Sequence, residues 1–207
     1  MIFPQIRSDM LCEIIPSRTY EYGDLKEYEL FIWRTSSLKH FKNNILGWFV
    51  DDSRFEYVWM NKENYTKRII QIGYENVMSC DFSIWADAPR IEQFYNMYRN
   101  RALALYWQDN GLKILPDLNW SDKQSLPTSI IGQPKYAPVV IVESRTLGGP
   151  VGIDNFINGL NYQIHHLEPK HIIIYGTTNR KYIDGKLLPC EVTWLKSWSE
   201  EHYDRRK

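Results

Sequence analysis

Val139-Val140-Ile141-Val142-Glu143-Ser144-Arg145-Thr146-Leu147-Gly148-Gly149-Pro150 is the stretch on which the fold turns. An unbroken β-branched run, Val139 to Val142, suits a strand buried on both faces and ends at an acid. After the Gly-Gly-Pro turn, Ile153, Phe156, Ile157, Leu160, Ile164 and Leu167 recur at helical spacing, and Pro169 limits the helix. His171-Ile172-Ile173-Ile174 then opens another apolar run, ending at Tyr175-Gly176-Thr177. A strand, a helix and a second strand in that order form a parallel crossover unit.

The same pattern extends toward the N-terminus. Leu112 to Leu118 is a run that ends in Asp117, and Ser121 to Pro138 replaces its crossover helix with a long covering loop. Before it, Asp87 can cap a helix with Pro89 in its first turn and Gly111 as its stop, and Phe94, Tyr95, Tyr98, Ala102, Leu105 and Tyr106 fall within about 60° of Ile91 as the expected inner stripe. Leu103 and Trp107 fall on the opposite side and call for a cover, either the first 44 residues or a second protein. Val77 to Cys80 ends at Asp81, and Ile45 to Val50 ends at Asp51-Asp52, followed by a helix over residues 53–72 that stops at Gly73. The fold class is therefore α/β, with about five parallel strands and crossover helices in an incomplete TIM-barrel-like arrangement or an open sheet. Residues 1–44 form an irregular segment on a main domain of 45–180, and 181–207 a C-terminal hairpin, turning at Ile183 to Lys186, with a mobile tail.

Composition narrows the functional classes. The 207 residues carry 25 Lys plus Arg against 25 Asp plus Glu, with 43% hydrophobic and 24% charged residues. That balance excludes a disordered chain and leaves no summed field for a polyanion, so there is no strong nucleic-acid signature. No apolar run approaches the roughly 20 residues of a membrane span, and Met1 to Arg7 lacks the pattern of a signal peptide. Cys12, Cys80 and Cys190 show no Cys-x-x-Cys spacing, which suits a reducing compartment, and the expected location is the cytoplasm of a bacterial host.

Several motifs resemble a known family. They are Trp48-Phe49-Val50-Asp51-Asp52 with Phe55-Glu56 and Trp59, Asp81-Phe82-Ser83 with Pro89, Tyr98-Arg99-Asn100-Arg101 with Tyr106-Trp107-Gln108, Gly111 with Pro116 and Trp120, and Pro169 with Tyr175-Gly176. In that order they resemble domain-of-unknown-function family 4417, found in bacteria, phages and mobile elements. The chain departs from its pattern at Cys80, where a Pro is expected, and at Gln124-Ser125-Leu126-Pro127, where a Phe-rich segment is expected. The resemblance implies a phage or mobile-element origin and brings no activity with it.

Chemistry has to come from the residues. Asp51 and Asp52, Asp81, Asp117 and Glu143 each follow a predicted strand, and in parallel α/β folds those ends lie on the face that binds ligands. Asp52, Asp81, Asp117 and Glu143 together have the oxygen ligands of a divalent cation such as Mg or Mn, and Asp81 and Asp117 could instead divide into an acid and a base. Arg99 and Arg101 flank the helix stripe and can clamp an anion or pin a buried carboxylate. Trp48, Trp85, Trp120 and Tyr175 lie near strand ends, where aromatic rims stack sugars or bases. His165 and His166 point about 100° apart and do not share a metal. The leading reading is a hydrolase of a phosphodiester, nucleotide or glycosidic bond, with a small molecule or nucleotide as ligand. The rival reading is a non-catalytic accessory protein that binds a host or replication protein as partner.

Overall fold

In the computed structural model residues 3–12, 30–32, 45–197 and 199–200 are described. Strands β1 (Leu30–Ile32), β2 (Ile45–Gly47), β3 (Asn76–Met78) and β4 (Lys113–Leu115) form one parallel sheet in that order, and β5 (Val140–Glu143), β6 (His171–Tyr175) and β7 (Glu191–Leu195) form another. Helices α1 (Glu56–Met60) and α2 (Lys62–Ile72) join β2 to β3, α3 (Arg90–Asp109) joins β3 to β4, and α4 (Leu126–Ser129) lies between β4 and β5. Helix α5 (Gly149–Leu167) joins β5 to β6, and α6 (Arg180–Ile183) joins β6 to β7. Gly73 and Gly111, at φ 97° and 88°, end α2 and α3 in the left-handed conformation that spares glycine a Cβ clash.

This architecture is α/β and parallel, as the alternation of runs and helices implies, but it is neither about five strands in one sheet nor a TIM-like barrel. Among the described residues seven strands divide into sheets of four and three. The sheets meet at a seam: Asp117 bridges Ile141, Leu118 N–H donates to the Ile141 carbonyl at 2.8 Å, and Ile141 N–H donates to the Pro116 carbonyl at 2.9 Å. Nearer its start, the same edge of β4 is covered by Leu11, which bridges Ile114, and Cys12 N–H donates to the Ile114 carbonyl at 2.8 Å. The backbone junction therefore lies past the carboxyl end of β4 and at the second residue of β5. Phe49, past β2, stacks on Tyr175 at the end of β6 with ring centroids 4.9 Å apart, which ties the two sheets together a second time.

Two stretches differ from the sequence reading in their place. Leu30–Ile32 lies within the N-terminal 44 residues and is an edge strand of the first sheet. The residues after 181 hold no hairpin among those described: Ile183 ends α6, and β7 runs parallel to β6, since a strand that follows a helix can re-enter the sheet in the same direction. The proposed cover of residues 13–29 and 33–44, and the tail at 201–207, lie outside the described residues.

Helix α3 presents the face opposite to its aromatic stripe. Ile91, Phe94 and Tyr95 are exposed, while Leu103 and Trp107 are fully buried against the sheet, with Trp107 stacked on Trp48 at 5.5 Å. Buried with them are Gln93, Asn96, Asn100 and Gln108. These amides hold backbone that no strand pairs: Asn100 accepts from Phe82 N–H at 2.9 Å, Asn96 donates to the Ser83 carbonyl at 2.6 Å, and Gln108 donates to the Arg7 and Met10 carbonyls, both at 2.9 Å. Loop backbone inside a fold must be satisfied, and side-chain amides do it. Hydrophobic periodicity selects the wrong face here because the inner face is half polar. The aromatic stripe packs outward on α1, where Trp59 donates to Tyr95 Oη at 3.2 Å.

Candidate active site at the sheet seam

A cavity of about 250 Å³ opens at the carboxyl ends of the strands, lined by Asp81, Asp117 and Glu143. Asp81 lies just past β3, Asp117 just past β4, and Glu143 closes β5, so neighbouring strands bring three predicted acids into one cleft. Asp117 is 2% exposed because it sits at the bridge between the sheets. Its backbone is fixed on both sides, with N–H donating to Ser79 Oγ at 2.7 Å and the carbonyl accepting from Gln133 Nε2 at 2.5 Å. Asn119 Nδ2 holds Asp81 Oδ1 at 2.7 Å and also reaches the Phe82 carbonyl at 3.0 Å.

Two carboxyls side by side in a buried place share a proton, since both cannot ionise there without an opposite charge. Burial first, and then the charges of Asp117 and Glu143, hold the Asp81 carboxyl well above the usual carboxylate range. Burial also raises Asp117, opposed by the Arg101 guanidinium and by the hydrogen bond from Asp81. No N–H or hydroxyl among the described residues reaches Asp117 Oδ2. Glu143 is raised by burial as well, opposed by Arg145, whose Nε lies 2.9 Å from Oε1. The pair therefore carries a proton in neutral solution, next to a third carboxyl held by a cation.

The remaining predicted residues divide clearly. Asp52 is outside the cleft and accepts from Ser83 N–H at 3.0 Å and Ser83 Oγ at 2.9 Å, while Asp51 is exposed. With Asp52 engaged elsewhere, no three or more His, Cys, Asp or Glu among the described residues are placed to hold a metal ion. Arg99 grips both oxygens of Glu56, at 2.6 and 2.7 Å, and lies 3.7 Å over the Phe82 ring. Arg101 is 1% exposed under the loop after α4, donating to the Ser129 and Ile131 carbonyls at 2.9 and 3.2 Å. Neither arginine lines the cleft. Trp48 is core, its Nε1 donating to the Met78 carbonyl at 2.9 Å. Trp85 is 60% exposed and away from the cleft, and Tyr175 is buried beneath Phe49. Trp120 alone of those aromatics lines the cavity.

Sequence reasoning missed Phe49, Asn119, Asn155, Phe156 and Gly159. Gly159 has a specific job: a Cβ there would fall 2.0 Å from Trp120 Nε1, so the indole seats on α5 only because that position has no side chain. A glycine in the middle of an apolar helix, past the Gly149 and Gly152 of its first turn, was the available signal. Cys80 is buried and its thiol is pushed well up by burial and then by Asp81, so it supplies no thiolate.

Residues 10–193 match the model of the family described as Domain of unknown function (DUF4417). The chain belongs to that family. Similar proteins include the Gene 1 proteins of Mycobacterium phage D29 and Mycobacterium phage L5. Each is 29% identical over 199 residues, which is 92% of this chain and 70% and 83% of theirs, respectively. No solved structure matches. The DUF4417 motifs meet in space: Asp52 binds Ser83, Glu56 binds Arg99, and Asn100 binds Phe82, so these segments brace the strand end that carries Asp81. No helix among the described residues is long and apolar enough to cross a membrane.

Proposed function

We propose that this DUF4417 protein is a hydrolase working by acid–base catalysis, with Asp81 and Asp117 as the proton-sharing pair and Glu143 as the accompanying carboxyl. The observation that carries this reading is the placement of two neighbouring acids from successive strand ends in one open cleft, with Asp117 buried and its Oδ2 without a hydrogen-bond partner among the described residues. Asp81, holding the proton, donates it to the leaving-group oxygen as the scissile bond breaks. Asp117, raised to about 8 and the first of the two to ionise, takes a proton in its ionised form from the attacking water as the new bond to oxygen forms, so the pair ends with the one proton it began with. Glu143 stabilises positive charge that develops on the substrate. Arg101, buried on the far side, favours the ionised form of Asp117 and so directs the proton to Asp81.

A metal-assisted version, with Mg or Mn polarising the scissile group, would need Asp81, Asp117 and Glu143 to converge on one ion. The acid–base version is preferred because no three such groups among the described residues are placed to do so and Asp52 is held by Ser83. The test is turnover of chromogenic esters, phosphodiesters and glycosides by the unaltered chain and by Asp81→Asn, Asp117→Asn and Glu143→Gln. Loss of about 10²–10⁴ in rate for either Asp variant is expected for a proton-transfer group. Full activity in both Asp variants, or no turnover of any of the three classes, would refute the reading.

A further inference from the structure

We infer that the ligand of this cleft is an uncharged sugar ring that stacks on Trp120 and places its glycosidic oxygen at the Asp81–Asp117 pair, an inference that rests on the acid–base reading above. Charge comes first. Among the described residues lining the cavity there is no Lys, Arg or His, and Arg145, the nearby cation, is paired with Glu143 at 2.9 Å. A phosphate or carboxylate ligand would enter against Glu143 and the pair with no counter-charge to meet it.

Hydrogen-bonding polarity narrows the class further. The amide nitrogens of Asn119 and Asn155 are engaged, with Asn119 Nδ2 on Asp81 and Asn155 Nδ2 on the Ser121 carbonyl at 2.6 Å. Both residues line the cleft beside the three carboxyls and the hydroxyl side chains of Ser121 and Thr146. Five carboxyl and amide side chains against two hydroxyls make the lining richer in acceptors than in donors, which suits a ligand that brings many donors, as a ring of hydroxyls does. The buried Asp117 lines the same cavity with no hydrogen-bond partner on Oδ2 among the described residues, which leaves it free to act on the ligand.

Shape supplies the apolar half. Trp120 is seated on Gly159 and lies 5.7 Å from Phe156 at an inclination of 34°. Two inclined rings do not form the parallel slot that grips a nucleobase, whereas a sugar needs one flat platform for its C–H face. The cavity, about 250 Å³, is smaller than the roughly 300–1,000 Å³ of pockets for drug-sized molecules. It takes one ring, not an extended polymer.

The test is binding to the full chain and to Asp117→Asn, read by saturation-transfer NMR and calorimetry, with glucose, galactose, xylose and N-acetylglucosamine as probes and glucose 6-phosphate and adenine as contrasts. At least one neutral sugar is expected to bind both proteins, and more tightly than either contrast. Trp120→Ala should weaken that binding about tenfold or more, the scale of one lost stacking contact, while Trp120→Phe retains most of it. If Trp120→Ala does not fold, Gly159→Ala, which displaces the indole without removing it, carries the same expectation. Tighter binding of glucose 6-phosphate or adenine, no binding of any sugar, or affinity unchanged when Trp120 is removed or displaced would overturn the inference. Sugar binding without turnover of esters, phosphodiesters or glycosides would sink the acid–base reading and leave this one standing. Ester or phosphodiester turnover without sugar binding would do the reverse.

Discussion

Replacing both members of the pair, Asp81→Asn with Asp117→Asn, should change how stability depends on pH. Folded, the pair keeps a proton that two ordinary carboxyls in the unfolded chain release near pH 4. Above that pH the unfolded state binds fewer protons than the folded one, so stability falls as pH rises until the folded pair releases its proton. Each retained proton is worth about 1.4 kcal/mol per pH unit once the unfolded carboxyls have ionised, so the unaltered chain should lose about 2.5 kcal/mol between pH 4.5 and 6.5 relative to the double variant. The Asn side chains keep the size of the pair and leave Asn119 an acceptor at position 81, so the double variant should be the more stable protein at pH 7. Urea denaturation followed by circular dichroism at intervals of one pH unit measures the difference. Parallel profiles for the two proteins would show that the pair holds no extra proton, and the acid–base reading would lose its basis.

Further outcomes follow from particular contacts. Gly159→Ala should cost about 1–3 kcal/mol by overpacking, because a Cβ 2.0 Å from Trp120 Nε1 forces the indole off α5; near-ultraviolet circular dichroism and melting temperature report it. Arg99→Ala should cost about 2–3 kcal/mol in chemical denaturation, through loss of a charged hydrogen-bonded pair and of its stacking on Phe82, and Lys should rescue it only in part. Trp107→Glu should leave the chain largely unfolded at monomer mass in sedimentation, since Trp107 is fully buried on Trp48. Burial would raise Glu200, but hydrogen bonds from Thr178, Ser197 and Thr177 outweigh it and bring it to about 2. Its contribution is therefore present above its ordinary value near 4.5 and is lost as pH falls toward about 2, and Glu200→Gln should reduce hydrogen-exchange protection at Thr177 and Thr178 only above that window.

The acids were legible because a strand that ends in Asp or Glu places that side chain at the sheet's carboxyl edge whatever the rest of the fold does. Asp81, Asp117 and Glu143 follow from that rule, and Asp52 escapes it because the chain turns after β2 and gives its carboxylate to Ser83. The burial of Gln93, Asn96, Asn100 and Gln108 was not legible, since it depends on which loop backbone lies across α3, a tertiary fact with no local pattern. Strand β7 was misread because Gly185 suggested a tight turn, and only the parallel pairing of Ile172 to Val192 shows that the chain crosses over instead. Strand count and sheet division were equally hidden: the seam at Asp117 rests on one bridge and two backbone hydrogen bonds.

The proton itself offers the most direct test. With aspartate carboxyl carbons labelled with ¹³C, an NMR titration of the full chain reads each carboxyl's protonation. The account predicts that at pH 7 at least one resonance, absent from the Asp81→Asn/Asp117→Asn double variant, still has the shift of a protonated acid. Complete ionisation of both aspartates below pH 5 would contradict it.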